Sequence, residues 1–181
     1  MESGCGFGRF DIFGILKKVF WTQKTFQAME ELVSRVVECA QATNARLILM
    51  QGVPGSGKTT VAEALKARNK RLVVVCADDE FMTPEGYVFD GTRLKEVHET
   101  TQGKAREAFM AGSLVLVDNC NVRNIHAAPY LNMLKRDEAA VVVHMCAKSR
   151  TEAVMFAQRS PHAARGPHWK ASSLMRNTTR G

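Results

Sequence analysis

The sequence predicts an α/β fold: a doubly wound parallel sheet with helices on both faces, preceded by an N-terminal amphipathic helical segment. Two observations carry this. Short Val-rich apolar runs alternate with helical stretches along the chain. The runs are continuous rather than alternating with polar residues, as in strands buried on both faces.

Taken in order, residues 10–21 set Ile12, Phe13, Leu16, Val19 and Phe20 at helical spacing, with Lys17 and Lys18 opposite. Residues 24–41 repeat the period with Phe26, Met29, Leu32, Val33, Val36, Val37 and Ala40. Two amphipathic helices are expected, either packed on the following domain or presented to a partner or a membrane surface. Two lysines and a neutral segment favour packing. After the polar break Ala42-Thr43-Asn44, strand-like runs fall at 46–51, 72–76, 113–117 and 139–145, so about four strands are legible. Helices are expected from Lys58 to about Ala67 and over 92–111, 124–136 and 150–158. Ser149 with Glu152 three residues on forms a capping box for the last of these. The domain reading is therefore 1–44 helical extension, 45–175 α/β domain and 176–181 frayed tail, with no internal repeat.

The chain carries a net charge of +7, from 25 Lys and Arg against 18 Asp and Glu. Residues 1–44 are neutral, 45–145 hold thirteen basic and twelve acidic groups, and 146–181 hold seven basic and one acidic. The excess is thus local to the C-terminal end, which argues against a broad nucleic-acid-binding surface. Five cysteines without a C-x-x-C pair speak against a disulfide framework or a zinc site and suit a reducing compartment. No apolar run reaches the roughly 18 residues of a membrane span, and the start lacks a secretory signal or myristoylation site. A soluble cytoplasmic or nuclear location is expected.

Chemistry enters at the turn after the first domain strand. Gly52-Val53-Pro54-Gly55-Ser56-Gly57-Lys58-Thr59 matches G-x-x-x-x-G-K-[ST] in full, the Walker A pattern, with Thr60 next. The glycines let successive N–H groups curl inward toward phosphate oxygens, and the following helix adds its positive N-terminus. Lys58 can reach the β- and γ-phosphates, and the Thr59 hydroxyl can join a Mg²⁺ shell. ATP with Mg²⁺ is the expected cofactor pair, and the domain is of the P-loop NTPase type.

Ligands in open α/β sheets sit beyond the C-terminal strand ends. One strand leads into Ala77-Asp78-Asp79 and another into Asp118-Asn119-Cys120-Asn121. Asp118 fits a Walker-B-like role at the metal. Asp78 or Asp79 would face an acceptor and could take a hydroxyl proton.

The ordered set GVPGSGKTT, VCADDEFM, GYVFD, LVDNCN and QRSPH resembles the polynucleotide-kinase-like P-loop kinases over roughly residues 45–170. By that resemblance Asp78 is the general base that deprotonates an acceptor 5′-hydroxyl, and Asp118 helps position the acceptor. Arg159 and Arg165 fall where the family places lid arginines that clamp the transferring phosphate, and His162 matches the family's histidine in that element. The sequence departs from the phage-type pattern at Phe81, where an arginine contacting the acceptor phosphate would stand. It departs again at Cys120, where threonine is usual. The chain ends soon after the lid region, leaving a fifth strand and part of a base-binding wall unaccounted for.

The resemblance implies an ATP-dependent kinase acting on a hydroxyl, first a polynucleotide 5′-hydroxyl and second a nucleoside or other small alcohol. The reading from a different class is an NTP-binding interaction module with little catalysis, using the N-terminal helices as its partner face. Tyr87 and Phe89 either stack on a base or bury their loop. His98 belongs to a helix face or the acceptor cleft, whereas His126 and His144 lack metal-ligand spacing. A single H-x-T at His98-Glu99-Thr100 disfavours a two-histidine phosphoesterase.

Overall fold

The structure, a computed structural model, describes residues 16–21, 26–146 and 155. Its centre is a five-stranded, wholly parallel sheet of order β1-β7-β2-β6-β3, formed by β1 (Leu16–Trp21), β2 (Ala45–Gly52), β3 (Val73–Val75), β6 (Val115–Val117) and β7 (Ala139–Met145). A two-stranded antiparallel hairpin, β4 (Met82–Thr83) and β5 (Gly86–Tyr87), projects beyond β3. The helices are α1 (Phe26–Ala42), α2 (Lys58–Arg68), α3 (Leu94–Met110) and α4 (Asn124–Leu131).

Strand alternation sorts the core into two layers. On β2, Ile48 and Met50 face one side and Leu47 and Leu49 the other, all 2% exposed or less. The first layer receives Leu32, Val33 and Val36 of α1 with Val61 and Leu65 of α2. The second receives Ala105 and Phe109 of α3 with Ala127 and Tyr130 of α4. Both faces of the central strands are therefore covered, which is why their sequences read as unbroken apolar runs.

The four strands and the three helices expected within the described part of the 45–175 domain are all present, and the α/β P-loop fold is borne out. The end of one helix and the nature of one element differ. The helix expected over 124–136 stops at Leu131, and 3-10-like turns follow, with Met133 N–H on the Tyr130 carbonyl at 3.1 Å and Leu134 N–H on Leu131 at 3.2 Å. Pro129 has no N–H to give the helix ladder.

The correction concerns 10–21. Residues 16–21 form the edge strand β1, not a helix, and pair with β7 from Leu16↔Ala140 to Trp21↔Met145. A short apolar run fits either period. Val, Phe and Trp suit a pleated surface, and β7 otherwise presents an unpaired edge. The fifth strand thus comes from the N-terminal side. The apolar face of α1 is buried in the shared core rather than held out for a partner. The helix expected over 150–158, with its Ser149–Glu152 capping box, lies outside the described residues apart from Met155. Among the described residues no helix is long and apolar enough to cross a membrane.

Candidate phosphate-binding and acceptor site

The glycine-rich turn leaves β2 at Gly52 and enters α2 at Lys58. Gly55 and Gly57 hold φ of 74° and 92°, left-handed values that carry the chain round without a Cβ clash. At Gly52 the requirement is space: a Cβ would lie 2.7 Å from the Met145 carbonyl oxygen and 2.9 Å from Ser56 Oγ. Gly57 is the N-cap of α2 and gives it no side-chain cap. The first-turn N–H groups are left to an anion.

Inside the cradle Lys58 is buried, and its Nζ donates to the Val53 carbonyl at 2.9 Å. Ser56 Oγ is buried with no hydrogen-bond partner. Thr59 and Thr60 are exposed at the start of α2. Asp118, at the end of β6, is 5% exposed. It accepts from the Thr59 hydroxyl and feels the Lys58 charge, yet its Oδ1 has no partner. Burial outweighs both and raises its pKa above the ordinary carboxylate value. Two orphaned polar atoms, a hydroxyl and a carboxylate oxygen, thus flank the lysine. Phosphate oxygens and a hydrated divalent cation would satisfy them, so the residues present fit both groups. Among the described residues no cluster of three or more His, Cys, Asp or Glu offers a protein-only metal site.

The loop after β6 braces this arrangement. Asn121 has φ of 43°, a conformation asparagine tolerates. Its Nδ2 donates to the Met50 carbonyl at 2.9 Å. Gln51 Nε2 donates to the Asn121 carbonyl at 2.7 Å, and Gly52 N–H to the Cys120 carbonyl at 2.9 Å. Asn119 accepts from Ala77 N–H at 2.9 Å, tying the two acidic strand ends together. The Cys120 thiol hydrogen-bonds with Lys58, and burial, its largest influence, raises its pKa. Burial and the Asp118 charge push Cys76, just past the end of β3, up to about 12.

On the acceptor side, Asp78 and Asp79 sit on a 3-10 turn, Ala77–Phe81, directly after β3. Burial, Asp78 and Glu80 together raise the pKa of Asp79. The Tyr87 hydroxyl donates to Asp78 Oδ1 at 3.5 Å, a long bond. Phe81 is 2% exposed and packs with Ala77 and Val97, its ring 6.0 Å from that of Tyr87 and 5.2 Å from that of Phe89. Residue 81 therefore faces the core, with Tyr87 half-buried against it and Phe89 exposed. Between the outer face of α2 and β3 runs a cleft of about 580 Å³, opening at Thr59, Asp79 and Asp118.

The fold thus brings together 52–60, Asp118 and, at the rim, Asp78. Arg159, Arg165 and His162 lie outside the described residues. Sequence reasoning did not assign the bracing by Gln51 and Asn121, the Lys58–Cys120 contact or the Tyr87–Asp78 bond. An asparagine three residues past a strand-end aspartate was the one visible signal, since asparagine favours left-handed turns.

A parallel sheet with this cradle at the end of a central strand and an aspartate at the end of its neighbour defines a P-loop NTPase domain. The AAA domain family model matches residues 47–168, and the chain belongs to that family. It is 34% identical over 119 residues, 65% of its length, to NEDD4-binding protein 2 of Homo sapiens, of which it spans 7%. A chain from the Pnkp1/Rnl/Hen1 complex aligns with a TM-score of 0.51 over 70% of this chain and 42% of that one. At 17% identity that likeness speaks for the fold. The resemblance to polynucleotide-kinase-like P-loop proteins is borne out.

Proposed function

We propose that the protein binds ATP with Mg²⁺ at residues 52–60 and transfers the γ-phosphate to a hydroxyl acceptor, first a polynucleotide 5′-hydroxyl and second a nucleoside or other small alcohol. The observation that carries this is the facing of the phosphate cradle by carboxylates at two neighbouring strand ends, one buried beside Lys58 and Thr59, the other at the rim. A nucleotide with its cation supplies the transferable phosphoryl group and charge neutralisation there. Phosphoryl transfer asks mainly for positioning and electrostatics.

Each residue then has a task. The N–H groups of 52–60 and the Lys58 ammonium hold phosphate oxygens. Thr59 and Asp118 orient the cation and its water. Asp78 accepts the acceptor's proton. Arg159 and Arg165 supply further positive charge over the phosphates. The free cysteines Cys39, Cys76 and Cys120 support a reducing compartment, cytoplasm or nucleus.

The second reading, an NTP-binding module without transfer, is favoured by one feature. Phe81 is buried and the 3-10 turn has no basic residue of its own, while the lysine that reaches it, Lys104, is paired with Glu80.

Incubation with γ-labelled ATP-Mg²⁺ and a panel of 5′-hydroxyl oligonucleotides, nucleosides or buffer tests the proposal. Label transfer to an acceptor, abolished in Lys58→Ala and Asp78→Asn, is the expected result. ATP binding by the folded wild type with no transfer to any acceptor rejects the kinase in favour of the module.

A further inference from the structure

The 3-10 turn and the β4–β5 hairpin combine negative charge with exposed apolar side chains. From Leu72 to Thr92 the chain holds five acidic residues, Asp78, Asp79, Glu80, Glu85 and Asp90, and no basic one. Two cations stand nearby, and both are shared with carboxylates: Lys104 pairs with Glu80, and Arg93 with Glu96 at 3.5 Å. Burial, and after it the charges of Asp78 and Glu80, raise the pKa of Asp79, as like charges held together do. The same stretch concentrates exposed apolar area. Of the seven large apolar side chains exposed among the described residues, four fall between positions 82 and 94: Met82, Val88, Phe89 and Leu94.

Stability does not account for these side chains. A hairpin with two residues in each strand gains little from its own pairing, and Met82 and Val88 are 59% and 56% exposed. An acidic surface that carries apolar side chains is complemented by a basic segment with apolar side chains of its own. The chain contains one. Residues 166–181 hold Lys170, Arg176 and Arg180, no acidic residue, and the apolar Trp169, Leu174 and Met175. The route to the hairpin is short. β7, the last described strand, and β3 end at the same edge of the parallel sheet, three strand spacings apart in the order β7-β2-β6-β3, or about 14 Å. The nineteen residues from 147 to 165 cover about 28 Å even at the 1.5 Å rise of a helix.

We propose that the acidic hairpin is an intramolecular docking surface and that its occupant is the chain's own segment 166–181. Trp169, Leu174 and Met175 cover the exposed Met82, Val88 and Phe89, and Lys170, Arg176 and Arg180 lie among the carboxylates of Asp79, Glu85 and Asp90. Docking needs neither nucleotide nor acceptor, so it stands apart from phosphoryl transfer. It gives the local excess of positive charge a partner within the molecule. A second copy or an outside basic peptide would have to compete with a segment tethered at an effective concentration of about a millimolar.

Carbodiimide cross-linking of the full chain tests this, because it joins a lysine amine to a carboxylate only when the two are in contact. The expected link runs from Lys170 to Glu85, Asp79 or Asp90 and is mapped by mass spectrometry. In an equal mixture of unlabelled and ¹⁵N-labelled chains, every such link falls within one isotope. Two full-chain variants, Val88→Ser at the hairpin and Trp169→Ser in the segment, are expected to lower the yield by about fivefold or more, the effect of one lost apolar contact. Amides of 82–90 exchange their hydrogens faster in Trp169→Ser by a similar factor, while its circular dichroism matches the wild type. No link between 166–181 and 78–90, or a yield and an exchange rate indifferent to the variants, overturns the proposal. Links that join the two isotopes assign the hairpin to a second copy and overturn it equally.

Discussion

At Gly52 and Asp118, one on each side of Lys58, single atoms decide the outcome. Gly52→Ala drives a methyl group against the Met145 carbonyl and Ser56 Oγ. Neither belongs to a long flexible side chain, so the start of the cradle must shift. ATP affinity measured by calorimetry is expected to fall by about tenfold or more, equivalent to about 1.4 kcal/mol. Asp118 is a case of function set against stability. Its folded-state pKa is raised from 3.8 by burial. Folding therefore favours the protonated form below that unfolded value, and the advantage is lost as pH rises through the folded one. Burial makes the ionised form of this group costly in the folded chain, and one of its oxygens has no partner. Asp118→Asn is expected to raise Tm at pH 7 by a few degrees, on the order of 1 kcal/mol. The gain shrinks toward pH 4, and nucleotide-Mg²⁺ affinity drops. A melting series across pH that shows a constant or negative difference contradicts this.

The 3-10 turn with its hairpin, β4–β5, is the element that separates this chain from the phage-type pattern. Phe81 closes a small cluster with Ala77, Val97 and Tyr87, and Val88 N–H bonds to the Phe81 carbonyl at 2.9 Å. Phe81→Arg therefore does not restore an acceptor contact. It removes a buried ring and puts a charge in its place, and a loss of about 3 kcal/mol or more is expected in urea unfolding. Acceptor binding should not improve. The Walker A motif and the acidic strand ends were legible because each is local: one turn, one strand end. The inward turn of Phe81 was not legible. It depends on Val97, sixteen positions later, packing against the 3-10 turn.

For the molecule as a whole, β1 closes one side of the sheet by pairing along its own full length with β7. A chain lacking residues 1–25 is expected to expose the β7 edge and to associate as concentration rises, read by light scattering. A monomer of unchanged Tm would show that β1 adds nothing to the sheet. The positive charge is local to residues 146–181, so the chain is not a basic protein at large. By itself the sequence determined the α/β class, four of the five strands, the cradle at 52–59 and the acids at 78 and 118. These follow from periodicity and from turn chemistry within a few residues. Only the tertiary structure decided that 16–21 is a strand, that residue 81 faces inward, that Asn121 braces the loop, and that a cleft lies between α2 and β3. Each of these depends on what a distant segment offers: an open edge, an apolar pocket, a free carbonyl or a half-covered strand. Local propensity cannot register such partners.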